Sequence, residues 1–153
     1  MQEPQIPSGP WDNGILEEKE YDAIVYGIQR RRLKCDDGCF FRILLWLLQP
    51  EIFVATNVYV KEHTFDSARK RIWHLCMACG VPPRGFVNRL AEFSGRHLRV
   101  SLRTISLVWE GEEKEFSDVH YFLPPARPLS QNEWDRYESA TTPGRRIQQL
   151  IAF

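Results

Sequence analysis

The chain has 153 residues, of which 43% are hydrophobic, enough to fill one modest core with tails and too few for a second independent one. Its 20 basic and 20 acidic residues cancel to a formal net charge of zero, which taken alone argues against a nucleic-acid partner. The longest apolar run, Ile43 to Leu48, falls far short of the roughly 20 residues that cross a bilayer. The opening MQEPQIPSGPWDNG has neither the basic start nor the apolar stretch of a secretion signal, so a soluble, intracellular protein is expected.

Charge is distributed unevenly. Tyr21 to Arg103 holds fourteen Lys/Arg against seven Asp/Glu, while acidic residues gather in Glu17 to Glu20 and Glu110 to Glu115. A basic body between acidic segments reopens the case for an anionic partner, beside the plainer reading of an unevenly charged solvated surface.

Residues 1–19 contain several Pro and Gly and few apolar residues, which predicts a flexible arm. From Tyr21 to Lys34 the chain is rich in Tyr, Ile and Val, with Gly27 in the middle, and reads as a strand with a bulge or tight bend. Cys35-Asp36-Asp37-Gly38-Cys39 supplies turn chemistry for a hairpin. Phe40 to Leu48 is the second strand. Ile52 to Lys61 is the third, with Ile52, Val54, Val58 and Val60 on one face and Phe53, Ala55, Asn57 and Tyr59 on the other.

The period then changes. Thr64 or Asp66 caps a helix running to about Cys79, with Ile72, Leu75, Cys76 and Cys79 on its buried stripe, and Gly80 ends it before Pro82 and Pro83. Phe86 to Phe93 suits a short helical piece. Two more strands follow, Arg96 to Trp109 and Phe116 to Leu123, joined by the acidic loop at Glu110 to Glu113. Beyond Ala126 comes an amphipathic candidate, Ser130 to Ser139, then Thr141-Thr142-Pro143-Gly144 and a terminal Arg145 to Phe153. Three strands, a helix and two strands is the order of a mainly β, five-stranded OB-type Greek-key barrel with its helix between strands three and four. An α+β sandwich has the same string. The expected domains are a 1–19 arm, a 20–125 barrel and a 126–153 tail.

Several of these residues together resemble a family of small phage and prophage proteins, catalogued as a domain of unknown function, whose members look like OB-fold single-stranded-DNA-binding proteins. The resemblance rests on Tyr21-x-Ala23, the basic hairpin with Gly38, Leu75-Cys76-Met77-Ala78-Cys79-Gly80-Val81, Leu90, and Gly95-Arg96 leading into Leu98-x-Val100-x-Leu102. It ends with Tyr121-Phe122-Leu123-Pro124, covering about residues 20–125. It implies binding of single-stranded DNA in recombination or replication, with recombination or replication proteins as further partners, in the cytoplasm of a bacterial host.

Holding single strands needs cations for phosphates and flat side chains for bases. Arg30, Arg31, Arg32 and Lys34 sit on the arm of the first hairpin, where OB folds grip oligonucleotides. If Phe41, Ile43, Leu45 and Leu47 face inward, Arg42 and Trp46 face outward beside Phe53 and Tyr59, and Lys61 continues that face. Leu44 and Leu48 fall on the same outer side, which leaves open a second strand buried on both faces. Arg99 and Arg103 share a face of the fourth strand, suited either to phosphate contacts or to surface ion pairs.

Cys35-x3-Cys39 and Cys76-x2-Cys79 admit a four-thiolate zinc site, while Cys76 and Cys79 equally complete the helix's buried stripe. His63, His74, His97 and His120 show no metal-ligand spacing, and neither a phosphate-cradling Gly-rich loop nor a nucleophile motif is present. A binding protein without cofactor or catalysis is expected. The alternative is a protein-interaction module of a recombination or replication assembly, because Trp134, Tyr137, Ile147, Leu150, Ile151 and Phe153 give the tail marked apolar character.

Overall fold

Val, Ile, Leu and aromatic residues recurring at period two build five strands: β1 (Glu20–Arg32), β2 (Cys39–Leu47), β3 (Phe53–Val60), β4 (His97–Trp109) and β5 (Glu112–Leu123). Helix α1 (Phe65–Cys79) lies between β3 and β4, and α2 (Gln131–Ile151) follows the sheet. The computed structural model describes residues 4–33 and 38–151, with the side chains of α2 described as far as Thr141. The strands form one antiparallel sheet in the order β3-β2-β1-β4-β5. The mainly β class and the helix after the third strand agree with the sequence reading. The closed barrel does not: the sheet is open, with β3 and β5 as its edges.

The bend expected at Gly27 is present. Between Val25 and Gly27 the register of β1 against β2 shifts, leaving Tyr26 as the extra residue of a bulge. Before the bulge β1 pairs with both β2 and β4; Gly95 N–H still donates to Val25 O at 2.7 Å, and beyond that β1 pairs with β2 alone. The bulge turns β1 away from β4, so beyond it the sheet continues as β1, β2 and β3 alone.

The edges β3 and β5 meet through side chains. Asn13 Nδ2 donates to Ala55 O at 2.7 Å and to Ser117 O at 2.8 Å, while its Oδ1 accepts from Ala55 N–H at 2.8 Å. One amide thus does for Ala55 what a neighbouring strand would do, and ties β5 on its other side. Ser117 N–H donates to Gly14 O and Leu16 N–H to Ser117 Oγ, so the segment expected as a flexible arm runs along this opening with Pro10 and Asn13 buried. Further along, Arg71 of α1 donates to Thr56 Oγ1 and to the carbonyls of Val119 and His120 at 3.3–3.4 Å. Burial lowers the Arg71 pKa and raises that of Asp118, whose carboxyl bonds Thr56 and faces Arg71. Asn13, Thr56 and Ser117 are all buried at this seam, where their partners offset the cost of burying polar groups.

Two apolar clusters lie on the two faces. On the inner face Val25, Ile43, Leu45, Val54, Val58, Leu98, Val100 and Val119 pack against Leu75, Cys76 and Cys79 of α1. Gly80, at φ 70°, stops α1 in the left-handed region, and Val81 N–H returns to Cys76 O at 3.0 Å. On the outer face Ile24, Tyr26, Leu44, Trp46, Phe53 and Ala55 pack against Tyr137 and Trp134 of α2. That helix starts in a reciprocal cap: Ser130 Oγ accepts from Glu133 N–H, and the Glu133 carboxylate accepts from Ser130 N–H. It continues beyond the short tail helix expected, through Pro143 and Gly144. Among the described residues no helix is long and apolar enough to cross a membrane.

Candidate nucleic-acid interface

Cross-strand register decides which side chains stand together. On the outer face Gln29, Arg42 and Asn57 form one row across β1, β2 and β3, and Arg31, Phe40 and Tyr59 form the next. Phe40 and Tyr59 lie 5.5 Å apart between ring centroids. The Arg42 guanidinium sits over Phe40 at 5.3 Å and over Trp11 at 5.7 Å. Arg42 Nε donates to Asn57 Oδ1 at 3.3 Å, Asn57 Nδ2 to Tyr59 Oη at 3.1 Å, and Arg31 to Gln29 Oε1 at 3.3 Å. Trp11 makes an edge contact with Trp109 at the tip of the β4–β5 hairpin, 6.4 Å between centroids. A band of rings and guanidinium groups therefore runs from the first hairpin to the last.

The electrostatics around Arg42 are cationic, with Asp12 as the nearby counter-charge. Burial, then the neighbouring Arg31, lowers the Arg42 pKa from its usual high value, while Tyr59 and Asp12 act the other way. An Arg so shifted is still a cation at neutral pH. Hydrogen bonds from Ser8 hold the Asp12 carboxyl below its ordinary range, with Lys114 and Arg42 adding to the effect despite some desolvation. Asp12 is turned to Ser8 N–H, and Trp11 beside it lies so close over Gly9 that a Cβ there would collide with the indole.

Of the residues expected to bind, Arg31, Arg42 and Tyr59 come together, and Tyr59 is 41% exposed. Trp46 and Phe53, expected to face outward for stacking, do lie on the outer face but are 1% and 6% exposed beneath α2. The possibility that the second strand is buried on both sides is realised along Ile43–Leu47. Arg30 and Arg32 stand opposite Phe41 and Cys39, on the other face from Arg31. Three consecutive Arg in a strand cannot act as one patch, because alternation divides them.

Lys34 lies outside the described residues, as does Cys35. Lys61 follows β3 at the same end, its stem beside Gly38, whose Cβ position is closed by the Val60 carbonyl. Arg99 is held on β4 by Glu20 at 2.7 Å and Pro124 O at 2.8 Å, the ion-pair reading of that residue. Arg103 is exposed opposite Asp118, across β1 from the patch.

Trp11, Phe40, Asn57 and Trp109 were not singled out from sequence. Phe40 was readable, being two residues before Arg42 on an alternating strand. Trp11 and Trp109 carried no such signal, since only tertiary contact brings either to the patch. Cys76 and Cys79 are core residues, and burial pushes their thiols up to about 11 and about 12. Among the described residues no three His, Cys, Asp or Glu side chains gather as metal ligands. No family model matches the chain, and no curated protein matches it.

Proposed function

We propose that this protein binds single-stranded DNA, with little sequence preference, on the open half of the outer face of β1, β2 and β3. The observation that carries this reading is the pair of cross-strand rows in which Arg31 and Arg42 alternate with Phe40 and Tyr59. Arg meets phosphate bidentately and stacks on bases, and exposed rings offer platforms that any base can use. The Asn57 and Gln29 amides add donors and acceptors between them.

The fold is read as OB-type, its seam filled by Asn13 and Arg71 where a β3–β5 ladder would close it. Strand order, the β1 bulge and the helix after β3 support that reading, since OB domains bind oligonucleotides on the β2–β3 face between their first and last hairpins. The patch lies there, with Trp109 at the last hairpin. The resemblance of residues 20–125 to phage-type single-strand binders supports a role in recombination or replication inside a bacterial host. The reading needs no catalytic group.

Fluorescence anisotropy with labelled oligo(dT) tests it. Binding is expected at low salt, weaker to duplex, and falling steeply with ionic strength because each phosphate contact releases counterions. No binding to oligo(dT) at low salt, or equal affinity for duplex, would sink it. A protein-interaction module is the second reading, favoured by the way the other half of the same face already takes an amphipathic helix, α2. Capture of a partner without oligonucleotide binding would select it.

A further inference from the structure

A second bulge lies on β5. Against β4, Ser101 pairs with Tyr121 and Leu102 with Val119, so His120 is the extra residue. Its carbonyl accepts from Arg71, and its ring is stacked on Tyr121 at 4.0 Å and 18°. Bulges re-aim side chains and recur beside functional sites. This one turns His120 and Tyr121 toward α1, where Ser67, Lys70 and His74 stand at i, i+3 and i+7 on one helix face. These five residues, with Arg71 and Phe122, line a cavity of about 230 Å³. A second depression of about 390 Å³ adjoins it, sharing Lys70 and His74 and adding Arg69 and Trp73.

The chemistry of the lining is one-sided. Lys70 and Arg69 make no ion pair among the described residues, whereas Arg71 is committed to the seam. Ser67 and the two imidazoles add hydrogen-bonding groups. Among the described residues, the only carboxylate on the joint lining is Asp66, in the outer depression. Two aromatic walls flank the cations: Tyr121, 53% exposed, and Trp73, 48% exposed with its ring edge to His74 at 5.6 Å. Core packing does not account for rings left this open beside cations that form no ion pair among the described residues.

We infer that the groove between α1 and β5 is a nucleotide-binding site, in which Lys70 and His74 hold a phosphate and Tyr121 stacks the base. It shares no residue with the outer-face patch, so it stands or falls separately from the single-strand reading. The nucleotide is either free or one unit of a strand, and the two sources are told apart by the probes.

The experiment follows the ring resonances of His74, His120 and Tyr121 by NMR during titration with dTMP, thymidine and inorganic phosphate. Saturable shifts with dTMP are expected, with thymidine at least about tenfold weaker, as loss of a charge-assisted hydrogen bond implies. Lys70→Ala and His74→Ala should each weaken dTMP binding by a similar factor, and Lys70→Glu should weaken it further. Both positions are on the helix surface, and a thermal melt checks that each variant is folded.

Absent shifts, equal affinity for thymidine or inorganic phosphate, or unchanged affinity in the folded Lys70 and His74 variants would overturn the assignment. Oligo(dT) added to Tyr59→Ala, with the outer patch impaired, then separates the sources. Shifts at the same rings assign a strand unit; their absence, with dTMP still bound, assigns a free nucleotide. Unmutated protein that binds dTMP but fails to bind oligo(dT) at low salt defeats the outer-face reading alone.

Discussion

The outer face of β1, β2 and β3 has two halves made by the same strands with the same alternation, and they differ in what lies on top. Toward one end Ile24, Leu44, Trp46 and Phe53 are covered by α2; toward the other Arg31, Phe40, Arg42 and Tyr59 are left to solvent or half-buried. Composition follows the cover. The strand residues packed under α2 are aliphatic or aromatic, whereas the open half alternates cations, amides and rings. An aromatic on this face is thus a core residue or a binding residue according to its distance from α2.

Trp46→Ala should have the largest effect, about 3–5 kcal/mol of stability by urea titration, because it empties a buried site. The folded fraction should bind oligo(dT) unchanged; lost affinity there would break the division of the face. Asn13→Ala should cost about 2–3 kcal/mol, since it orphans the buried N–H and C=O of Ala55. A neutral result would mean that the seam holds without its amide.

Tyr59→Ala should reverse the Trp46 pattern. Stability should change by less than about 1 kcal/mol, while oligo(dT) affinity falls by about 1–3 kcal/mol, the worth of one stacked base. Equal losses of stability and affinity would show that the open half is not a platform.

The smallest effect concerns how α2 is held. Hydrogen bonding by Arg127, which also pairs with Asp22 of β1, and by Ser130 keeps the Glu133 carboxyl at about 2 against an ordinary 4.5. A carboxyl lowered on folding contributes stability that is complete above the unfolded value and lost as pH falls through the folded one. Between about pH 4.5 and 2, loosening of α2 should therefore be weaker in Glu133→Gln than in the parent, read as tryptophan emission. Because the pair is largely solvated the difference should be modest.

Local signals were legible where a residue's own chemistry decides the outcome. Gly27 marked the β1 bulge, Gly80 the end of α1, and the two sets along β3 face as their alternation says. Trp46 and Phe53 were legible as outward-facing and not as covered, because α2 begins only at Gln131, far along the chain. The basic run from Arg30 to Arg32 misled in a related way. Arg30 to Arg32 divides between two faces of a strand, while Arg69 to Arg71 on α1 sends Arg71 into the seam and leaves Lys70 on the groove.

The residues by themselves determined the mainly β class, the five strands with a helix after the third, both glycine-marked bends and the face each side chain takes. These follow from period, turn chemistry and allowed backbone angles, which act within a few residues. Only the tertiary structure decided that the sheet stays open, that Asn13 and Arg71 bridge its edges, and that α2 covers half of a face otherwise suited to bases. Those outcomes depend on contacts between segments far apart in the chain, and no local pattern encodes which distant surface will arrive.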